Sequence, residues 1–370
     1  MSVRLASPAR PRASLLPLRV GLLRSSQPSH LSLALDNVLR TSLRNHGCHL
    51  SLVATHGAHR RRALWSVDAV IAQVDCARDL QSRDSTVVGT VSAIPAPAIV
   101  VLHSIASRPS PTEVYAVAEL CAWASLVVVM SQAANTALLC SYPVDADKVI
   151  VIPWGANSSR ALSGPLRTAD EPEYHVLTWG DIVPGLGAEH VIDALAHLYS
   201  TGQAVRYTVA STAHQDLRIG HTAAYARHLR QRAQEAGIGH LVKVTTGSRD
   251  STALRRLVAS TSLVVLPTDD DTDLVSPNLV ASIAAGRPVI ATRFPHAAEL
   301  LGDGAGLLVP HRNPAALAEA IRVTTTDRCI LNAMSRRARL LAPSLSWACA
   351  ERRFVEACMR VSGSREMLAA

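Results

Sequence analysis

The residues able to do chemistry gather at two loop-to-helix junctions. In the first, an apolar run at residues 263–267 (LVVLP) gives way to an acidic loop with Asp269, Asp270, Asp271 and Asp273, then to Ser276, Pro277 and Asn278. The apolar run reads as a buried strand. Serine suits an N-cap and proline the first helical position, so a short helix is expected over 279–285, stopping at Gly286. A helix N-terminus at the carboxyl end of a buried strand offers unpaired N–H groups and a partial positive charge, which favours phosphate. Plain helix capping by Ser276 and Asn278 needs no ligand and stands as the alternative. The second junction, residues 180–198 (GDIVPGLGAEHVIDALAHL), sets Gly180 and Gly187 ahead of an amphipathic helix, the outline of a phosphate loop. His103 ends another apolar strand, AIVVLH, and opens the loop SIASRPSP; a loop histidine bonded to a backbone carbonyl is the plain reading of it. Three adjacent loop aspartates at 269–271 are read as solvated rather than metal-binding.

The elements that position these groups alternate. Strands are expected at 18–23, 49–55, 68–73, 98–102, 126–131 and, last in the first half, within VDADKVIVIPWGAN (144–157), then at 176–179, 205–210, 241–246, 263–267 and 289–292. Helices are expected at 32–45, 111–123 and 132–140, and later at 221–235, 250–258, 314–322, 331–341 and 347–361. Short buried strands separated by helices call for parallel sheets covered on both faces. Residues 1–15 read as a disordered tail and 159–172, rich in serine, glycine and proline, as an interdomain linker. That leaves an N-terminal domain at 16–158, a second domain at 173–345 and a final helix at 346–362.

The whole-chain figures narrow the function classes. A chain of 370 residues, 48% hydrophobic and 18% charged with mean hydropathy +0.17, supports two domains that each bury a core. Aromatics are only 4%, too few for the stacking platforms of a single-strand nucleic-acid binder, so no nucleic-acid partner is expected. A net charge of +8 and a pI near 9.4 suit anionic ligands or an anionic membrane surface, although the arginines are spread along the chain and only Arg60, Arg61 and Arg62 cluster. The seven cysteines show no C-x-x-C pair and no metal spacing with any of the fifteen histidines, which fits reduced thiols in the cytoplasm and no metal cofactor. No uncharged apolar run reaches about 18 residues, so no membrane-spanning helix is expected.

The segments AAGRPVIAT and GAGLLVPHRNPAALAEAI, with an acidic position nearby, resemble the sugar-nucleotide half of retaining family-4 glycosyltransferases of the GT-B fold. The likeness is to a bacterial branch carrying GRPVVATxFPHAxELL, and it runs in order through most of residues 18–359. It implies two Rossmann-like α/β domains facing a cleft, the first for acceptor and the second for donor, with the last helix crossing back to the first domain. It also implies transfer from a nucleotide-diphosphate sugar to a cell-envelope glycan or glycolipid, without metal, in the cytoplasm or at the inner membrane face. Such an enzyme needs amide donors and cations for the leaving diphosphate and carboxylates for sugar hydroxyls. The family's acidic pair, with seven residues between its members, falls on Asp273 and Ala281. By the same resemblance His103 faces the sugar, Gly180, Gly187, Ser276, Asn278 and Glu299 belong to the donor site, and His214 and Tyr225 line the cleft.

This chain departs from the pattern at four places. The loop at 24–31 (RSSQPSHL) has no glycine, Asp181 and Leu186 stand where basic residues neutralise the diphosphate, and Ala281 replaces the second carboxylate. An anion near a diphosphate is repelled by roughly 1–4 kcal/mol at surface-like dielectric. Two functions therefore remain: an active hexosyltransferase with another cation such as Arg218 or Arg293 in the cleft, or an inactive relative serving as a binding or scaffold protein or the product of a decaying gene.

Overall fold

The computed structural model describes residues 18–23, 29–46, 48–53, 67–80, 89, 93–157, 174–212, 219–248 and 251–368. The expected tail and linker, residues 24–28 of the glycine-free loop, Arg60 to Arg62, His214 and Arg218 lie outside them.

The first half alternates β1 (Arg19–Leu23), α1 (His30–Asn45), β2 (His49–Val53), β3 (Ala69–Asp75), a one-turn α2 (Cys76–Asp79), β4 (Ala98–His103), α3 (Pro111–Trp123), β5 (Leu126–Val129), α4 (Gln132–Ser141) and β6 (Val149–Val151). The second half continues with β7 (Tyr174–Gly180), α5 (Ala188–Ser200), β8 (Val205–Thr212), α6 (Ile219–Glu235), β9 (Val242–Ser248), α7 (Ser251–Ser260), β10 (Leu263–Leu266), α8 (Pro277–Ala284), β11 (Val289–Thr292), α9 (Pro295–Leu301), β12 (Gly306–Val309), α10 (Pro314–Thr326), α11 (Arg328–Leu341) and α12 (Trp347–Leu368). Two six-stranded parallel sheets result, ordered β2-β1-β3-β4-β5-β6 and β12-β11-β10-β7-β8-β9. This is the two-domain GT-B architecture. Strands β3 and β4 are buried at every position and β10 and β11 likewise, as strands covered by helices on both faces must be.

In each sheet the strand order reverses once, between β1 and β3 and between β7 and β10. Ligands of open α/β sheets sit outside the carboxyl ends of the strands at such a reversal. The two domains aim these mouths at a shared cleft. The domains are also joined where the chain crosses back. Ala156 N–H donates to Leu345 C=O at 2.8 Å and Trp347 N–H to Ala156 C=O at 3.1 Å. Trp347 meets Trp154 edge-on, with ring centroids 5.0 Å apart, and α12 runs on against α1, β3 and β4. Trp154, where the resembled family more often has histidine, is thus a packing residue of this crossing.

Three elements escaped the periodicity reading: α2, α9 and β12 are too short to show a repeat, although Pro295 at the first helical position marks the start of α9.

Candidate active site

The cleft encloses about 730 Å³. From the first domain it is lined by Leu31, Ala77, Leu102, Ser104, Ile105, Ala106 and Ala134. From the second come the turn after β7, with Asp181 and Leu186, the loop after β10, with Thr268, Asp270, Thr272 and Asp273, and the start of α8, with Ser276, Pro277 and Asn278. One wall is largely apolar and the other carries the functional groups.

Local backbone demands explain the second wall. Gly180 has φ 141°, and a Cβ there would stand 2.6 Å from Asn278 Nδ2. Gly187, the N-cap of α5, has φ 77°, and a Cβ there would overlap the carbonyl of Pro267. Both positions need glycine, for conformation and for close approach. Between them Asp269 N–H donates to Gly185 C=O at 2.9 Å, which ties the β7 turn to the β10 loop.

Asp273 stands at the centre of this wall. Burial, and then the charge of Asp270, push its carboxyl up to about 6, against the stabilising hydrogen bonds from Val275 N–H (3.1 Å) and the Ser276 hydroxyl. Ser276 does occupy the N-cap position of α8, but its side chain caps nothing: the hydroxyl is drawn to the desolvated carboxylate three residues earlier. That corrects the capping expectation. With Pro277 lacking an N–H, the amides of Asn278 and Leu279 have no partner among the described residues and point out of the helix N-terminus. The Asn278 side chain is fixed by donating from Nδ2 to Trp179 C=O at 3.1 Å. From below, His296 holds the loop: its Nδ1 accepts Ser276 N–H at 2.8 Å and its backbone N–H donates to Asp273 C=O at 3.3 Å. Burial lowers His296 to about 4, so the ring is neutral and Nδ1 is free to accept.

The other candidates lie elsewhere. His103 is buried, with Nε2 3.1 Å from Gln73 Oε1, and is absent from the cleft lining although its neighbours Leu102 and Ser104 are part of it. Ser104 adopts φ 53°, turning the chain sharply at that strand end. The Glu299 carboxylate accepts Gln132 N–H at 3.1 Å and Ala133 N–H at 2.8 Å, so it caps a helix of the other domain rather than lining the donor wall. Tyr225 is buried in the second core and donates its hydroxyl to Glu189; burial raises the phenol well above its usual range. Arg293 is exposed and absent from the cleft lining. Among the described lining residues the charged ones are Asp181, Asp270 and Asp273, with no Arg, Lys or His. Leu186 takes part in packing the second core.

Asp269 was expected in solvent and is not. It is 17% exposed, with Oδ1 3.3 Å from His190 Nε2 and Oδ2 3.1 Å from Arg312 Nε. Glu189, His190 and Asp269 bring possible metal-ligand atoms within 4.8 Å of one another. With Arg312 on Asp269 and Tyr225 on Glu189, the group acts as an ionic clasp on the β10 loop.

Residues 173–327 match the family of glycosyl transferases group 1. No curated protein matches the sequence. Among solved structures, a glycosyltransferase from Rickettsia africae superposes with TM-score 0.74 at 14% identity, covering 93% of this chain and 98% of that one. HepE from Anabaena, solved in complex with UDP, superposes with TM-score 0.70 at 18% identity, covering 93% and 100%. A sucrose-phosphate synthase from Thermosynechococcus elongatus gives 0.69 at 15% identity, covering 95% and 99%. The fold is that of these proteins, and the family match covers the second of the two domains. No helix among the described residues is long and apolar enough to cross a membrane.

Proposed function

We propose that the chain is a retaining, family-4-like hexosyltransferase that moves a sugar from a nucleotide-diphosphate donor to a cell-envelope glycan or glycolipid. The observation that carries the proposal is the pairing of Asp273 with the uncapped N-terminus of α8 on one wall of the cleft. The Asn278 and Leu279 amides would hold the leaving diphosphate, and Asp273 would accept hydrogen bonds from sugar hydroxyls. The bond from the anomeric carbon to diphosphate oxygen breaks, the acceptor oxygen bonds to that carbon on the same face, and the acceptor proton leaves with the diphosphate. Nothing in this scheme calls for a metal. A basic protein handling such an acceptor would work in the cytoplasm, at an anionic inner leaflet.

The competing reading, a relative that no longer transfers sugar, draws on one observation, the all-acidic charge of the described cleft lining. Calorimetric titration with UDP, GDP and ADP and their glucose and mannose conjugates separates the two. Saturable binding lost in Asp273→Ala or Ser276→Ala keeps the transfer reading and names the donor, and release of free nucleoside diphosphate from that donor then separates turnover from binding alone. No heat from folded protein at millimolar ligand leaves the cleft without a donor and overturns it.

A further inference from the structure

We infer that Glu299 and Ser131 are positioning residues: together they latch the two domains and so set the place of Asp273. The effect on transfer rests on the reading of Asp273 given above; the latch itself does not. The N-terminus of α4 leaves four amides to satisfy. Glu299 of the second domain takes those of Gln132 and Ala133, at 3.1 and 2.8 Å. Ser131 Oγ accepts the third, from Ala134 at 2.8 Å, and donates across the domains to Leu274 C=O at 2.6 Å. A carboxylate on helix N-terminal amides is a charge-assisted contact reinforced by the helix dipole.

The latch lies one residue from the chemistry. Leu274 is the next residue after Asp273, and its side chain is buried in the core of the first domain, not of its own. On α9, Glu299 sits three residues after His296, so both project from one face of that helix. That face grips the Asp273–Ser276 loop through His296 and α4 through Glu299. The loop is therefore clamped from both domains, and the Val275 N–H that orients the Asp273 carboxylate belongs to the clamped segment. When the domains part, two α4 amides lose their partner, Leu274 leaves its pocket and Asp273 loses one of its two supports.

Amide hydrogen exchange in the free full-length protein tests this, with Glu299→Gln, Ser131→Ala and the hydroxyl-retaining Ser131→Thr. Exchange at 132–134 and 274–276 should rise about tenfold in the first two variants, stay unchanged in β3 and β11, and return toward normal in Ser131→Thr. Turnover should show the donor KM raised about tenfold, a change that a lower folded fraction by itself leaves absent because it scales only the number of active molecules. Unchanged exchange in both Glu299→Gln and Ser131→Ala overturns the latch even if turnover falls. Raised exchange in a protein that binds no nucleotide sugar keeps the latch and removes only its role in transfer.

Discussion

The mouths of the two sheets occupy equivalent places in their domains and have opposite chemistry. At the first, His103 and Gln73 satisfy each other below the surface, and the cleft sees mainly aliphatic groups such as Leu31, Leu102 and Ile105. At the second, Asp273 is held partly desolvated and the α8 amides are left open. The loop after each strand makes the difference. Beyond β10 come a proline at the first helical position and a serine diverted to a carboxylate, so the helix start has no partner among the described residues. Beyond β4, Ser104 turns the backbone and the strand-end histidine finds an internal partner. One mouth is closed over by internal partners; the other keeps the groups that the proposed donor would use.

The strongest way to break this contrast is Asp273→Ala, expected to lower kcat/KM by about 10²–10³ through loss of a group that holds the donor sugar on the way to the transition state. The same carboxyl is a stability liability. Its folded-state value is raised from 3.8 to about 6, so the unfolded chain ionises first and stability falls as pH rises through that interval. Asp273→Asn should therefore melt higher than wild type at pH 8, by roughly 2 kcal/mol, while losing activity, and wild-type turnover should climb with a midpoint near 6. His296 has the opposite sense. Its value is lowered from 6.5 to about 4, so the unfolded chain takes the proton first and stability drops as pH falls through that window, by up to roughly 3 kcal/mol. Thermal melts of wild type and His296→Gln across pH 4–7 check this, the variant losing that slope.

Gly187→Ala should destabilise by about 2–3 kcal/mol in urea unfolding, since its φ is positive and a Cβ meets the Pro267 carbonyl. His103→Ala sharpens the comparison from the other side. It should cost about 1–3 kcal/mol, because Gln73 loses a buried partner, yet leave nucleotide-sugar affinity within about twofold by calorimetry. The smallest effect is expected from Asp181→Arg on the exposed rim, about a fivefold gain in UDP affinity from roughly 1 kcal/mol of charge.

Legibility in the sequence tracked the range of the interactions. The alternation of strands and helices, Pro277 at the start of α8, the glycine turns at Gly180 and Gly187 and the loop carrying Asp273 rest on neighbours within a few positions, and all could be read from the chain. Ser276 shows the limit of that rule, because cap geometry was satisfied while desolvation of Asp273 redirected the hydroxyl. Glu299, in a matching motif, has its partners 166 and 167 residues away, and Asp269 finds His190 and Arg312 only after its loop meets the first turn of α5 and the loop after β12. His103 ends its strand as expected, but which way the ring turns was decided by Gln73 on the adjacent strand. The sequence by itself determined the longer elements, their parallel pairing and the acidic residue set above a helix start, since backbone propensity and caps act locally. Tertiary structure alone decided which polar groups serve the cleft and which serve the frame, because burying a carboxylate or an imidazole requires a partner and docking chooses it.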